Sequence, residues 1–157
     1  LPVQKLPYNA TESDAYEHAA LLLAKINLSS DKFEQAEGCA SACLARNASA
    51  AGVHELLAAV SEKRGNTVAA VELYEKAWRL SCGSDPALGY RLAWNLLKCV
   101  RCSRAIDVSF EVLRRFPDYP KIEADVLKPA LSRLRAGSER DELRRVEAAA
   151  PAVVTAS

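Results

Sequence analysis

The sequence predicts an all-α fold, a right-handed solenoid of stacked helical hairpins with a C-terminal capping helix. Three observations carry that reading. Half of the 157 residues are hydrophobic while only 6% are aromatic, and alanine and leucine dominate, a mix suited to packed helices rather than sheets. Three stretches, LLLAKINLSSDKFEQAEGCASACLARN, ELLAAVSEKRGNTVAAVELYEKAWRLS and YRLAWNLLKCVRCSRAIDVSFEVLRRF, superimpose without gaps. Proline and capping residues fall at the joints between them.

The superposition sets the period. Leu23-Ala24, Leu57-Ala58 and Leu92-Ala93 coincide, so the units begin 34 and then 35 residues apart. Twelve residues after each alanine stands another, Ala36, Ala70 and Ala105. Two antiparallel helices approach closely only where side chains are small. Leu23, Leu57, Leu92, Tyr74, Trp78 and Phe110 are expected to fill the gaps beside those contacts. A period of 34 residues with this pattern is that of the tetratricopeptide repeat.

The elements follow in order. A capping box at Thr11–Asp14 opens a helix over 12–28, and a second runs over 31–46. Helices over 50–64 and 67–81 form the next hairpin, with Gly65 in its turn. Ser84-Asp85-Pro86 caps a helix over 86–99; the sixth helix, over 102–115, is stopped by Pro117. A further helix over 119–136 should cover the open end of the third unit, burying Ile122, Val126, Leu127, Leu131 and Leu134. Pro129 is expected to bend or restart it, and Gly137 to close it before a short polar helix from Ser138. The chain thus divides into an irregular lead-in (1–10), three repeats over 11–117 (about 15–48, 49–83 and 84–117), capping helices (118–149) and a frayed tail (150–157). It starts at Leu1 and has no methionine, so a fragment of a longer protein is expected, with the lead-in continuing from a preceding repeat.

Composition excludes several function classes. With 21 basic and 20 acidic side chains, the charge balance offers neither a nucleic-acid nor a membrane surface. No apolar run is long enough to span a bilayer. The cysteines number five, an odd count that reads as free thiols on a reducing side. Neither His18 nor His54 stands near a cysteine or carboxylate pair at ligand spacing. Glu72 and Glu75 share a helix with Lys76 and Arg79 and read as ion-pair partners. Cys43 matches Ala77 and Val112, an apolar slot, despite Cys39 one turn away. In KCVRC, residues 98–102, Cys99 ends one helix, Val100-Arg101 make a turn, and Cys102 begins the next. No catalytic residue, cofactor, metal or small-molecule substrate is therefore expected.

The working surface of such a solenoid is its concave face, lined by the first helix of each unit. The first unit contributes His18, Leu21, Leu22, Lys25 and Leu28; the second, Glu55, Leu56, Ala59 and Glu62. From the third come Tyr90, Arg91, Trp94, Leu97 and Lys98. Of these, Leu21, Lys25, Leu28, Tyr90, Arg91, Trp94 and Lys98 are the candidate partner-binding residues, centred on Tyr90, Arg91 and Trp94 because large amphipathic side chains dominate binding energy. The competing expectation is that the C-terminal helix of the same chain covers them. An adaptor that clamps the acidic tail of a chaperone is the alternative function. The clamp positions carry Leu21, Lys25, Leu56, Ala87 and Arg91, of which only Arg91 has the required character.

The third unit is more specific than a generic repeat. Pro86-Ala87, Gly89-Tyr90, Leu92-Ala93, Asn95, Ala105-Ile106-Asp107-Val108 and Tyr119-Pro120-Lys121-Ile122 resemble the C-terminal end of the large tetratricopeptide-repeat subunit of intraflagellar-transport complex A. The likeness covers roughly residues 70 to 135, and Lys128-Pro129 departs from its smooth helix. The resemblance implies a non-catalytic scaffold in the cilium or flagellum and basal body, on the cytoplasmic side. It further implies other protein subunits of that complex as partners, and a part in retrograde transport and cargo entry.

Overall fold

A computed structural model describes residues 10–149, all helices and turns without a strand. The lead-in over 1–9 and the tail over 150–157 lie outside the described residues. Six helices form three hairpins: α1 (Ala10–Ser29) with α2 (Phe33–Arg46), α3 (Ala51–Lys63) with α4 (Thr67–Leu80), and α5 (Pro86–Lys98) with α6 (Cys102–Arg115). A π-helical turn (Glu123–Leu127) then leads into α7 (Lys128–Ala149). No described helix is long and apolar enough to cross a membrane.

The hairpins close where the repeat pattern places alanine. Ala24 and Ala36, Ala58 and Ala70, Ala93 and Ala105 are all fully buried. One core region, around Val53, Leu56 and Val60, joins the first hairpin to α3; the other runs from Tyr74 and Trp78 through Leu92 and Leu96 to the C-terminal segment. Caps fix the helix starts. Asn66 Oδ1 accepts from the Ala69 N–H at 3.2 Å, and Asp85 Oδ1 from the Ala87 N–H at 2.8 Å with Pro86 in the first turn.

Each hairpin turns by the same device. The N–H of Lys32, Asn66 and Arg101 returns to the carbonyl of Asn27, Ser61 and Leu96 at 2.8, 2.9 and 2.9 Å. This is the Schellman arrangement, which sets the residue before each of them in the left-handed region. Those residues are Asp31 (φ 56°), Gly65 (φ 79°) and Val100 (φ 60°). Cys82, φ 51°, does the same at the end of α4.

Three expectations are corrected, and one is met in an unforeseen way. Pro129 stands in the first turn of α7, where the α-helix restarts after the π-turn. It has no N–H for the carbonyl four residues back, and the chain absorbs this upstream, where the Lys128 N–H reaches Glu123 O, five residues back. The extra residue in that wide turn rotates the following face by about 100°. Ile122, Val126, Leu127 and Ala130 are therefore buried, while Leu131 and Leu134 are exposed. Gly137 does not end the helix, since α7 runs through it to Ala149. Finally, Leu23 and Phe110 are 51% and 56% exposed. Leu23 lies on the outer face of α1, which no described helix covers, whereas its counterpart Leu92 is fully buried.

Candidate partner-binding face

The first helices of the three hairpins, α1, α3 and α5, share one groove of about 440 Å³. Leu21, Leu28, Leu56 and Ala59 provide its apolar surface; Lys25, Lys63, Arg91 and Glu55 provide its charge. Four of the seven predicted residues, Leu21, Lys25, Leu28 and Arg91, thus meet in one concavity. On α1 helical geometry brings Leu21, Lys25 and Leu28 together, because residues three or four apart lie on one face, and Arg91 joins them from α5.

Tyr90, Trp94 and Lys98 form a second cluster along α5, outside that groove. The Tyr90 and Trp94 rings stack, with centroids 6.3 Å apart and planes at 12°, and Lys98 Nζ lies 5.6 Å from the Trp94 ring. The far side of Tyr90 is occupied by the chain itself. Its hydroxyl donates to Asp125 Oδ2 at 2.8 Å, Tyr119 meets it edge-on, and Lys121 Nζ stands 5.0 Å from its ring. Burial, followed by the Asp125 carboxylate, pushes the Tyr90 phenol up to about 12. Tyr90 is therefore a joint between face and cap, and Trp94 beside it is partly buried against the core.

His18 and Leu22 point away from the groove into solvent, and Leu97 belongs to the core. Sequence reasoning placed Glu55 and Glu62 on this face without their partners. Arg91 Nη1 lies 3.5 Å from Glu55 Oε1, and Lys98 Nζ 3.7 Å from Glu62 Oε1. Both pairs join residues 36 apart, the repeat plus one, and that offset is a signal the sequence contains. Glu62 also accepts from the Tyr74 hydroxyl at 2.9 Å, and burial raises the Tyr74 phenol well above its ordinary range.

His54 and Cys43 follow the packing reading. His54 is buried, and its Nε2–H donates to Ala48 O at 3.0 Å. Cys43 is buried, which pushes its thiol up; Cys102 is also buried and Cys82 exposed. Among the described residues no three His, Cys, Asp or Glu side chains converge as a metal site. Glu75 pairs with Arg79 on its own helix at 3.7 Å, but its closer partner is Arg104 on α6, at 2.8 Å.

Comparison with known proteins places this architecture. The family model described as "Tetratricopeptide repeat protein 21 C-terminal ARM domain" matches residues 2–131. Mouse tetratricopeptide repeat protein 21B is 40% identical over 133 residues, covering 85% of this chain, and the human protein 38% over the same span. Human tetratricopeptide repeat protein 21A is 36% identical over 131 residues. The chain spans 10% of the length of each. Among solved structures, a Thermobaculum terrenum O-GlcNAc transferase mutant superimposes with a TM-score of 0.64 over 76% of this chain and 22% of its own. At 24% identity that likeness establishes the helical-solenoid fold. The sequence likeness is not confined to residues 70 to 135. Since the match runs through all three hairpins and into the cap, the chain belongs to the tetratricopeptide repeat protein 21 family, the intraflagellar-transport subunit family that its third unit resembles.

Proposed function

We propose that this domain is a non-catalytic scaffold of intraflagellar-transport complex A, serving retrograde transport and cargo entry in the cilium or flagellum and at the basal body. Its working unit is the three repeats over 11–117 with the cap over 118–149, and its partners are other protein subunits of the complex. The observation that carries this reading is the groove shared by α1, α3 and α5, with an apolar floor and a charged rim. Such a surface suits one face of a partner helix or an extended segment. Trp94, partly buried beside Arg91, continues the surface toward the cap.

The test is affinity capture of the full-length subunit from ciliated cells, with Lys25→Glu/Arg91→Glu in the groove and Phe110→Ala outside it. Loss of partner subunits with the double variant alone is the expected result. Equal recovery from all three proteins would remove the groove from the interface. Recovery of no complex subunit by the unsubstituted protein would remove the scaffold reading altogether.

A further inference from the structure

Two clefts flank the turn between α5 and α6, of about 570 and 530 Å³, and Val100 lines both. Arg133 also lines both, Arg140 and Arg144 line the first, and Arg101 lines the second. The ion-paired arginines among the described residues are Arg64, Arg79, Arg91, Arg104 and Arg135. None of the four cleft arginines named above is in that group. Arg133 and Arg140 instead donate to the carbonyls of Leu97 and Ala136, at 3.0 and 3.3 Å. Arg104 lies in the second cleft but is occupied by Glu75 and Glu111. The only acidic side chain lining either cleft is Asp141. Four positive charges against one leave a net of +3 on this edge (4 − 1), where the chain as a whole carries +1.

Val100 is the second, independent observation. It stands at φ 60° with 72% of its surface exposed. The left-handed conformation is unfavourable for a β-branched residue. At the same place in the other hairpins stand Asp31 and Gly65, types that accept that conformation. Neither backbone preference nor burial within this chain accounts for a valine here. A strained residue that gains nothing from its own fold points to a contact outside it.

We propose that this edge docks an acidic polypeptide segment, one apolar side chain of which packs on Val100 while flanking carboxylates enter the two arginine clefts. Guanidinium groups that are not ion-paired match carboxylates in geometry and charge. No aromatic side chain lines either cleft, so nucleic-acid bases have no stacking platform. Val100 and Leu134 are the exposed large apolar side chains lining the clefts, too few for an apolar belt that would lie in a bilayer. The edge shares no residue with the α1–α3–α5 groove, so either surface stands if the other fails.

Fluorescence anisotropy tests this with the full chain and a labelled synthetic peptide of glutamates and aspartates around a central leucine. A control peptide replaces the acids with glutamine and asparagine. The acidic peptide is expected to bind and the amide peptide not. Arg140→Glu/Arg144→Glu, on an exposed stretch of α7, should weaken binding at least about tenfold, whereas Lys76→Glu, exposed on α4, should leave it unchanged. Val100→Gly should weaken binding while raising the melting temperature, a combination that damage to the fold cannot produce. The proposal fails if binding ignores the charge reversal or if Val100→Gly binds as well as the parent. It fails equally if phosphatidylserine vesicles or a single-stranded oligonucleotide bind more tightly and displace the peptide.

Discussion

Tyr90 on the first helix of the third hairpin and Asp125 in the π-turn are joined by a 2.8 Å hydrogen bond across 35 residues of chain. The bond fastens the cap to the face it borders, and it has a pH signature. The Tyr90 phenol is raised to about 12, chiefly by burial and then by the neighbouring carboxylate. A raised folded-state value means the neutral phenol is what the fold stabilises. That contribution is full below the ordinary tyrosine value near 10 and is lost as pH rises from about 10 to 12. Tyr90→Phe should therefore cost about 1 kcal/mol at pH 7. The gap between parent and variant melting temperatures should narrow across that window. A gap that stays constant to pH 12 would show that the phenol does not titrate with folding.

How much of this was legible in the sequence depends on the kind of contact. The hairpins are written in local pattern, and α6 spans Cys102–Arg115 as the repeat alignment places it. Small residues at fixed spacing suffice for that, because each hairpin closes on itself. The cap was misread where two local rules compete. Pro129 signals a restart, which the chain makes through a single π-turn upstream, and the resulting one-residue shift sends Leu131 and Leu134 outward. Periodicity alone does not reveal such an insertion. On the concave face, residue types were legible and partners were not. Tyr90 reads as a binding aromatic until its ring is seen between Trp94 and Tyr119.

Gly89 on α5 packs tightly against both α6 of its own hairpin and α4 of the preceding one. A Cβ built there would collide with Val112 Cγ2 and lie 2.9 Å from two atoms of the Trp78 ring. In an exposed helix Gly→Ala stabilises by about 1 kcal/mol. Here overpacking of about 1–3 kcal/mol opposes that gain, and both obstructing side chains are buried. Gly89→Ala should lower stability by about 1 kcal/mol or more, read as a lower midpoint in urea denaturation. Gly38→Ala, where nothing stands within 4 Å, should move the other way. A rise in midpoint with both substitutions would mean that α5 can back away from α4.

Arg104 links the second and third hairpins. It is bidentate to Glu75, at 2.8 and 3.2 Å, and its Nη1 lies 3.5 Å from Glu111. Glu111 in turn accepts from Trp78 Nε1 at 2.9 Å. Because Glu75 is only 14% exposed, losing its partner leaves a carboxylate short of solvent. Arg104→Ala should cost about 1–2 kcal/mol, and Glu75→Gln should cost less once Arg104 is gone. A double-mutant cycle in urea measures that coupling. Strict additivity would show that the two side chains act separately in solution.

The turns offer a stabilising experiment with an internal ranking. Asp31, Cys82 and Val100 all hold left-handed backbone, at φ 56°, 51° and 60°. The steric cost of that conformation is about 1–2 kcal/mol for an ordinary side chain and absent for glycine. Aspartate tolerates it because its short polar side chain can hydrogen-bond locally; valine, branched at Cβ, tolerates it least. Replacement by glycine also loosens the unfolded chain, which subtracts a few tenths of that gain. Val100→Gly should therefore stabilise by about 1 kcal/mol, Cys82→Gly by somewhat less, and Asp31→Gly by close to nothing. Thermal melts of the three variants check the order. A common shift for all three would mean that loss of the side chain itself, rather than relief at the backbone, sets the change. If Val100→Gly were neutral, the valine would be making a compensating contact within its own fold, and the case for an external partner at that turn would lose its footing.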